Sequence, residues 1–182
     1  MYSKAVRAAA CYFLCIFAGV ALSGCGLFGS LKLEERESLP VPLEISLGAA
    51  EGVNPNIEGR PSPIVVRLFE LSNDTRFMGA DYFELMGQND TPLGDELLVS
   101  EEFILLPGEV RMVRKRAAAN SKFLGIIAGY RDLTGSTWRA VASLPEPYLA
   151  GRVWSSSVSP TKRLYVVLGE QGVAIYEEQP RQ

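Results

Sequence analysis

The 182-residue sequence contains no histidine. That excludes Ser-His-Asp and Cys-His nucleophile arrangements and every metal site built on imidazole. Its three cysteines, Cys11, Cys15 and Cys25, all lie in the first 25 residues, so the chain beyond them has neither a thiol nucleophile nor a disulfide. A core built there must hold without cross-links. Positive charge is not in excess either, since 18 Lys and Arg stand against 21 Asp and Glu. That is the balance of a mildly acidic soluble domain, and it argues against a nucleic-acid partner.

Long apolar runs are confined to the start. "AAACYFLCIFAGVA" follows Lys4 and Arg7 and closes on Leu22-Ser23-Gly24-Cys25. A basic opening, an apolar stretch and small residues at a cleavage point make a secretory signal. The competing reading is an uncleaved anchor, because the run approaches the ~18 residues of a membrane span.

Leu-Ser-Gly-Cys resembles the bacterial lipobox. The resemblance implies a diacylglycerol on Cys25, removal of residues 1–24 and acylation of the new amino terminus. Each buried CH₂ contributes roughly 0.8 kcal/mol, and one chain is a marginal anchor where three are durable. Gly26 follows the cysteine. By resemblance to bacterial lipoproteins, the lack of an aspartate there favours the outer membrane, with the protein facing the periplasm. Residues 25–38 then read as a lipidated tether and 39–182 as one domain. Loss of Lys4 and Arg7 leaves 16 basic against 21 acidic side chains, a net of −5.

Beyond the tether, period-two alternation and turn residues predict eight strands. They cover Val41–Ala49, Ile64–Leu71, Glu102–Leu106, Glu109–Lys115, Lys122–Asp132, Trp138–Leu144, Arg163–Gly169 and Gly172–Glu178. Pro107-Gly108 suits a type II turn and "GEQG" at 169–172 a hairpin. Short strands at this spacing indicate an all-β sandwich. Between the second and third strands, Met78, Tyr82, Leu85 and Met86 fall near helical spacing. They predict a short or broken helix, capped by Asn73 or Asp74, ended by Gly87 and weakened by Gly79, with its apolar stripe packed on the core.

Few motifs carry chemistry. "GLFGS" neither follows a strand nor opens a helix, so it is no phosphate loop. Arg111, Arg114, Lys115 and Arg116 read as guards of a sheet edge, with contact to an anionic surface as the lesser reading. Ser155, Ser156 and Ser157 near Lys162 lack the spacing of a Ser-Lys dyad. The acidic pairs 34–35, 101–102 and 177–178 read as solvated charge, because neighbours on a strand point to opposite faces. "PEPYLAGRVWSSSVSP" is long for a loop and reads as a surface crossover.

The stretch "VNPNIEGRPSP", Val53–Pro63, is the most informative of the domain. Three prolines stiffen it, and Asn, Glu and Arg surround Ile57, a composition that suits a small protein contact. A plain connection between sheets, with Pro61 and Pro63 blocking edge pairing, is the alternative.

Together, the lipobox, "NPNIEGRPSPIVVRLFEL", "FMGADYFEL", "ILLPGEV" and "KFLGIIAGYRD" resemble the TssJ family of outer-membrane lipoproteins of the type VI secretion system. The resemblance spans the whole domain. It implies a transthyretin-like eight-stranded β-sandwich with a helical insertion, no enzymatic activity, and no cofactor other than covalent lipid on Cys25. The implied partner is the periplasmic C-terminal region of the inner-membrane protein TssM, held by the loop between the first two strands. On side-chain chemistry, Asn54, Asn56, Ile57, Glu58 and Arg60 are the expected contact groups. Pro55, Gly59 and Pro61 would shape the loop, which maps onto Ala49 to Ser62, and Ser62 is counted with the partner-binding residues. No small-molecule substrate is expected. An alternative is a lipid-anchored carbohydrate- or peptidoglycan-binding sandwich using Trp138, Trp154 or Tyr148 as an aromatic platform.

Overall fold

A computed structural model describes residues 38–87, 92–146, 148–149 and 161–178. The leader, Cys25, the tether up to residue 37, and residues 147 and 150–160 of the long crossover, with Trp154 and Ser155, Ser156 and Ser157, lie outside the described residues.

All eight expected strands are present, and they form two four-stranded sheets. In chain order the strands are β1 (Ser38–Leu39), β2 (Pro42–Ala49), β3 (Ile64–Leu71), β4 (Leu97–Leu105) and β5 (Val110–Arg116). β6 (Phe123–Ala128), β7 (Arg139–Ser143), β8 (Tyr148–Leu149), β9 (Lys162–Leu168) and β10 (Val173–Glu177) complete the set. One sheet runs β10-β9-β2-β5 and the other β4-β3-β6-β7. The two-residue strands β1 and β8 pair separately with each other; they were not expected from alternation, which two residues cannot display.

Alternation sets the core. Leu43, Ile45 and Leu47 of β2 face Ile64, Val66 and Leu68 of β3 and Leu124 and Ile126 of β6, with Leu164, Val166 and Leu168 of β9 beside them. The open edge between β4 and β5 is closed by side chains. Lys115 reaches across to Glu101 and to Glu70, whose Oε1 is 2.6 Å from the ammonium. Glu70 is buried, and its other oxygen accepts from Ala118 N at 2.6 Å. Oε1 lacks hydrogen-bond geometry to the lysine, so the contact there is an ion pair. Lys115 and Glu101 are therefore structural, which corrects their reading as surface guard and solvated charge. On the opposite edge, Thr137 and Gly172 form a bridge that joins the sheets.

The segment between β3 and β4 forms two five-residue helices, α1 (Thr75–Gly79) and α2 (Tyr82–Met86), broken at Ala80-Asp81, and a 3₁₀ turn at Gly94–Glu96. Asp81 and Glu84 form a capping box at the start of α2, with both hydrogen bonds at 2.8 Å. Helices this short are unstable alone. Two arginines from the sheet hold their ends: Arg139 donates to the carbonyls of Phe77 and Ala80, and Arg67 to those of Leu85 and Gly87. The insertion covers Phe69, Leu71 and Ile127 on the outer face of its sheet with Phe77, Leu85 and Leu93. Phe77, not Met78, is the buried residue of α1, and Met78 faces solvent.

Candidate functional site

The connection from β2 to β3 stands at one end of the sandwich, and its polar side chains are mostly turned on itself. Asn54 adopts a left-handed conformation, φ 49°, which asparagine tolerates better than most residues. Its amide donates to Pro63 O at 2.9 Å, and its Oδ1 accepts from Arg131 N at 2.8 Å. Asn54 thus ties both limbs of the loop to the connection between β6 and β7. It is buried, as is Ser62, whose N–H donates to Val53 O.

Beyond this clamp the chain makes a small hairpin. Gly59 N donates to Asn56 O and Asn56 N to Arg60 O, both at 2.8 Å. Gly59 takes φ 76°, completing the three-residue turn with a bulge that favours glycine. Asn56 Oδ1 accepts from Glu58 N and Arg60 N, so this side chain braces the tip from within. At the tip Ile57 is fully exposed, beside an exposed ion pair of Glu58 and Arg60 at 3.1 Å. Pro61 is exposed and Pro55 half-buried.

Of the expected contact groups, the structure turns Ile57, Glu58 and Arg60 outward and spends Asn54 and Asn56 on loop geometry. The asparagines on either side of Pro55 carried that signal, since asparagine is the residue for an unusual backbone and for turn hydrogen bonds.

Other connections gather at the same end. β6 stops at Ala128, four residues short of the expected Asp132, because Gly129-Tyr130 turns the chain inward. Tyr130 is buried and donates its hydroxyl to Gly169 O at 3.2 Å; burial raises its pKa. The β4–β5 turn has Gly108 at φ 77° and Glu109 N donating to Leu106 O, the expected turn, and it leaves Leu106 exposed. The β9–β10 turn closes with Gly169 N on Gly172 O at 2.8 Å. Between the hairpin and these connections is an open recess of about 630 Å³, lined by Pro55, Ile57, Arg131, Asp132, Glu170 and Gln171 among others. Arg131, Leu106 and Glu170 were not singled out from the sequence, because loop residues show no periodicity.

Nothing else among the described residues forms a competing centre. No group of three His, Cys, Asp or Glu is placed to hold a metal ion. No helix among them is long and apolar enough to cross a membrane. Lys162 pairs with Glu177. Trp138 packs edge-on against Tyr82 at 5.4 Å, under the Arg139 guanidinium, and is not an exposed platform.

An all-β sandwich with a braced, outward-pointing apolar tip among clustered connections is what the described residues present. Comparison with known proteins gives its family. A family model described as Type VI secretion lipoprotein, VasD, EvfM, TssJ (T6SS-SciN) matches residues 41–169. The structure is similar to that of the type VI lipoprotein TssJ1 from Pseudomonas aeruginosa, at 35% identity and TM-score 0.67, over 78% of this chain and 99% of that one. It is also similar to Serratia marcescens Lip, a membrane-bound component of the type VI secretion system, at 32% identity and TM-score 0.67, over 76% and 99%. A chain of a type VI membrane complex, at 21% identity and TM-score 0.60 over 76% and 98%, shares the fold. No curated protein matches the sequence. The chain belongs to the TssJ family of type VI secretion lipoproteins.

Proposed function

We propose that this protein is the outer-membrane anchor of a type VI membrane complex, tethered through acylated Cys25, and that its β2–β3 hairpin docks the periplasmic C-terminal region of TssM. Its role is mechanical and not enzymatic. The observation that carries this reading is the polarity of the sandwich. β2 runs from Pro42, where the chain enters from the tether side, to Ala49, where the hairpin begins. Eight residues at about 3.3 Å each separate the two ends by roughly 25 Å. The chain therefore enters the described domain about one strand's length from the hairpin, which leaves the hairpin, the recess and the other connections clear of that entry.

A chain in a structure described as the TssM C-terminal domain from EAEC shares this fold, at 22% identity and TM-score 0.58 over 74% and 97%. Chemistry suits the assignment as well. A partner surface that receives Ile57 gains apolar burial, and the Glu58–Arg60 pair orients it at the rim. The loop is braced before contact, so little ordering cost is added on docking.

Calorimetric titration of residues 38–182 with the cognate TssM region tests this, beside a variant with residues 56–60 replaced by Gly and Ser. Binding by the native domain and at least tenfold weaker binding by a folded variant is expected. Equal binding by both moves the interface off the hairpin.

A further inference from the structure

The two sheets differ on their outer faces. The insertion covers one; the other, β10-β9-β2-β5, presents side chains in rows across its strands. Register defines the rows. Nearest the hairpin end lie Val110, Gly48, Val167 and Ala174. Next come Met112, Ser46, Tyr165 and Tyr176. The third is charged, Arg114, Glu44, Arg163 and Glu178, with Arg163 3.0 Å from Glu44 and 2.9 Å from Glu178, and Arg114 3.4 Å from Glu44. The guanidiniums of Arg163 and Arg114 hold the Glu44 carboxyl below its usual range. Val110, Met112, Tyr165, Val167 and Tyr176 are all exposed large apolar side chains.

We propose that this face pairs with the same face of a second copy, about a twofold axis parallel to the strands and lying between β2 and β9. The occupant follows from complementarity. That rotation reverses each row, so the sequence plus, minus, plus, minus of the charged row meets its opposite: Arg114 faces Glu178 of the other copy, and Glu44 faces Arg163. The apolar rows match in size by the same operation. Val110 meets Ala174, Gly48 meets Val167, Ser46 meets Tyr165, and Met112 lies on the Tyr176 ring, a favourable sulfur contact. Sheets pack face to face about 10 Å apart with nearly aligned strands, as this axis requires.

The axis also suits a membrane protein. Strand direction is preserved by it, so both copies enter from the tether at one end and present both hairpins at the other. Four strands at about 4.8 Å and rows at about 7 Å give roughly 400 Å² a side, half of the ~800 Å² per partner in a standard stable interface. The pair is therefore weak in solution and forms where both chains share one membrane, which raises their effective concentration. This inference does not depend on what the hairpin binds.

The test uses full-length chains in isolated membranes. Two tagged copies, one with Ser46→Cys and one with Tyr165→Cys, are co-expressed and treated with a short bis-maleimide, which bridges thiols too far apart for a disulfide; the unsubstituted chain and Glu84→Cys, on the insertion, serve as controls. A cross-link between positions 46 and 165 of different chains, absent from both controls, is expected. Its absence from folded, membrane-bound protein, or equal yield at Glu84→Cys, overturns the proposal. Charge reversal sharpens the test, because Arg114 and Glu178 sit on opposite edges of one sheet and meet only between copies. Arg114→Glu or Glu178→Arg alone should lower the cross-link about tenfold, and the two together should restore it. Failure of the double variant to recover, with the fold intact, overturns the twofold axis.

Discussion

The helical insertion and the β2–β3 hairpin are both excursions from the sandwich, and they use apolar side chains in opposite directions. The insertion sends Phe77, Leu85 and Leu93 down onto the sheet, and arginines from that sheet secure its helix ends. The hairpin keeps polar groups for its own bracing and turns Ile57 to solvent. An inward apolar group stabilises the fold; an outward one, on a backbone already held in place, is available to a partner. The two excursions thus divide into a segment that completes the core and one whose apolar tip is free for the docking proposed above.

That separation predicts a graded series of effects on stability. Phe77 is fully buried, packs on Phe69 at 5.5 Å and lies over Gly125, where an added Cβ would come within 2.8 Å of its ring. Phe77→Ala should cost about 3–5 kcal/mol in urea unfolding. A loss under about 1 kcal/mol would mean that the insertion is not part of the core.

Asn54→Ala comes next, because it leaves the Arg131 N–H and Pro63 carbonyl without their partner and keeps a strained φ. It should cost about 1–3 kcal/mol and also weaken TssM binding, since the hairpin loses its clamp. Loss of stability with unchanged binding would separate the clamp from docking.

Alkaline unfolding probes the scaffold alone. Burial raises the Tyr130 pKa above 10.0. For Lys115, burial acts downward and is outweighed by Glu101 and Glu70, so its pKa lies above 10.5. Both folded-state values are raised, so both contributions are present below about pH 10 and are lost as pH climbs beyond it. Urea midpoints at pH 9 and 11 should fall in the native domain and fall less in Tyr130→Phe; an equal fall in both would remove Tyr130 as a contributor.

The smallest effect on stability belongs to Ile57→Asp, within about 0.5 kcal/mol as for exposed sites in general. The same variant should lose at least tenfold in TssM affinity. A marked drop in its urea midpoint would place the tip with the scaffold.

Much of the sandwich was legible in the sequence because alternation reports directly which side of a strand is buried. β2 and β3 followed their patterns almost to the residue. The insertion was less legible, because five residues span less than two helical turns and cannot distinguish Phe77 from Met78 as the inward position. Its stability also comes from Arg67 and Arg139 on other elements, and no local pattern reports them. Glu70 illustrates a signal that was present. It shares the phase of Ile64, Val66 and Leu68, and a carboxylate on a buried phase implies an internal partner, here Lys115. For the hairpin, sequence located the segment and its apolar tip. The inward work of Asn54 and Asn56 depended on contacts to Arg131 and to the turn itself, which only the folded chain displays.

Amide hydrogen exchange of residues 38–182, alone and with the TssM C-terminal region, tests the separation most directly. The account predicts slowed exchange on binding at 55–61, 131–136 and 170–171, with no change at 75–86. Protection over the insertion and none at the hairpin would contradict it.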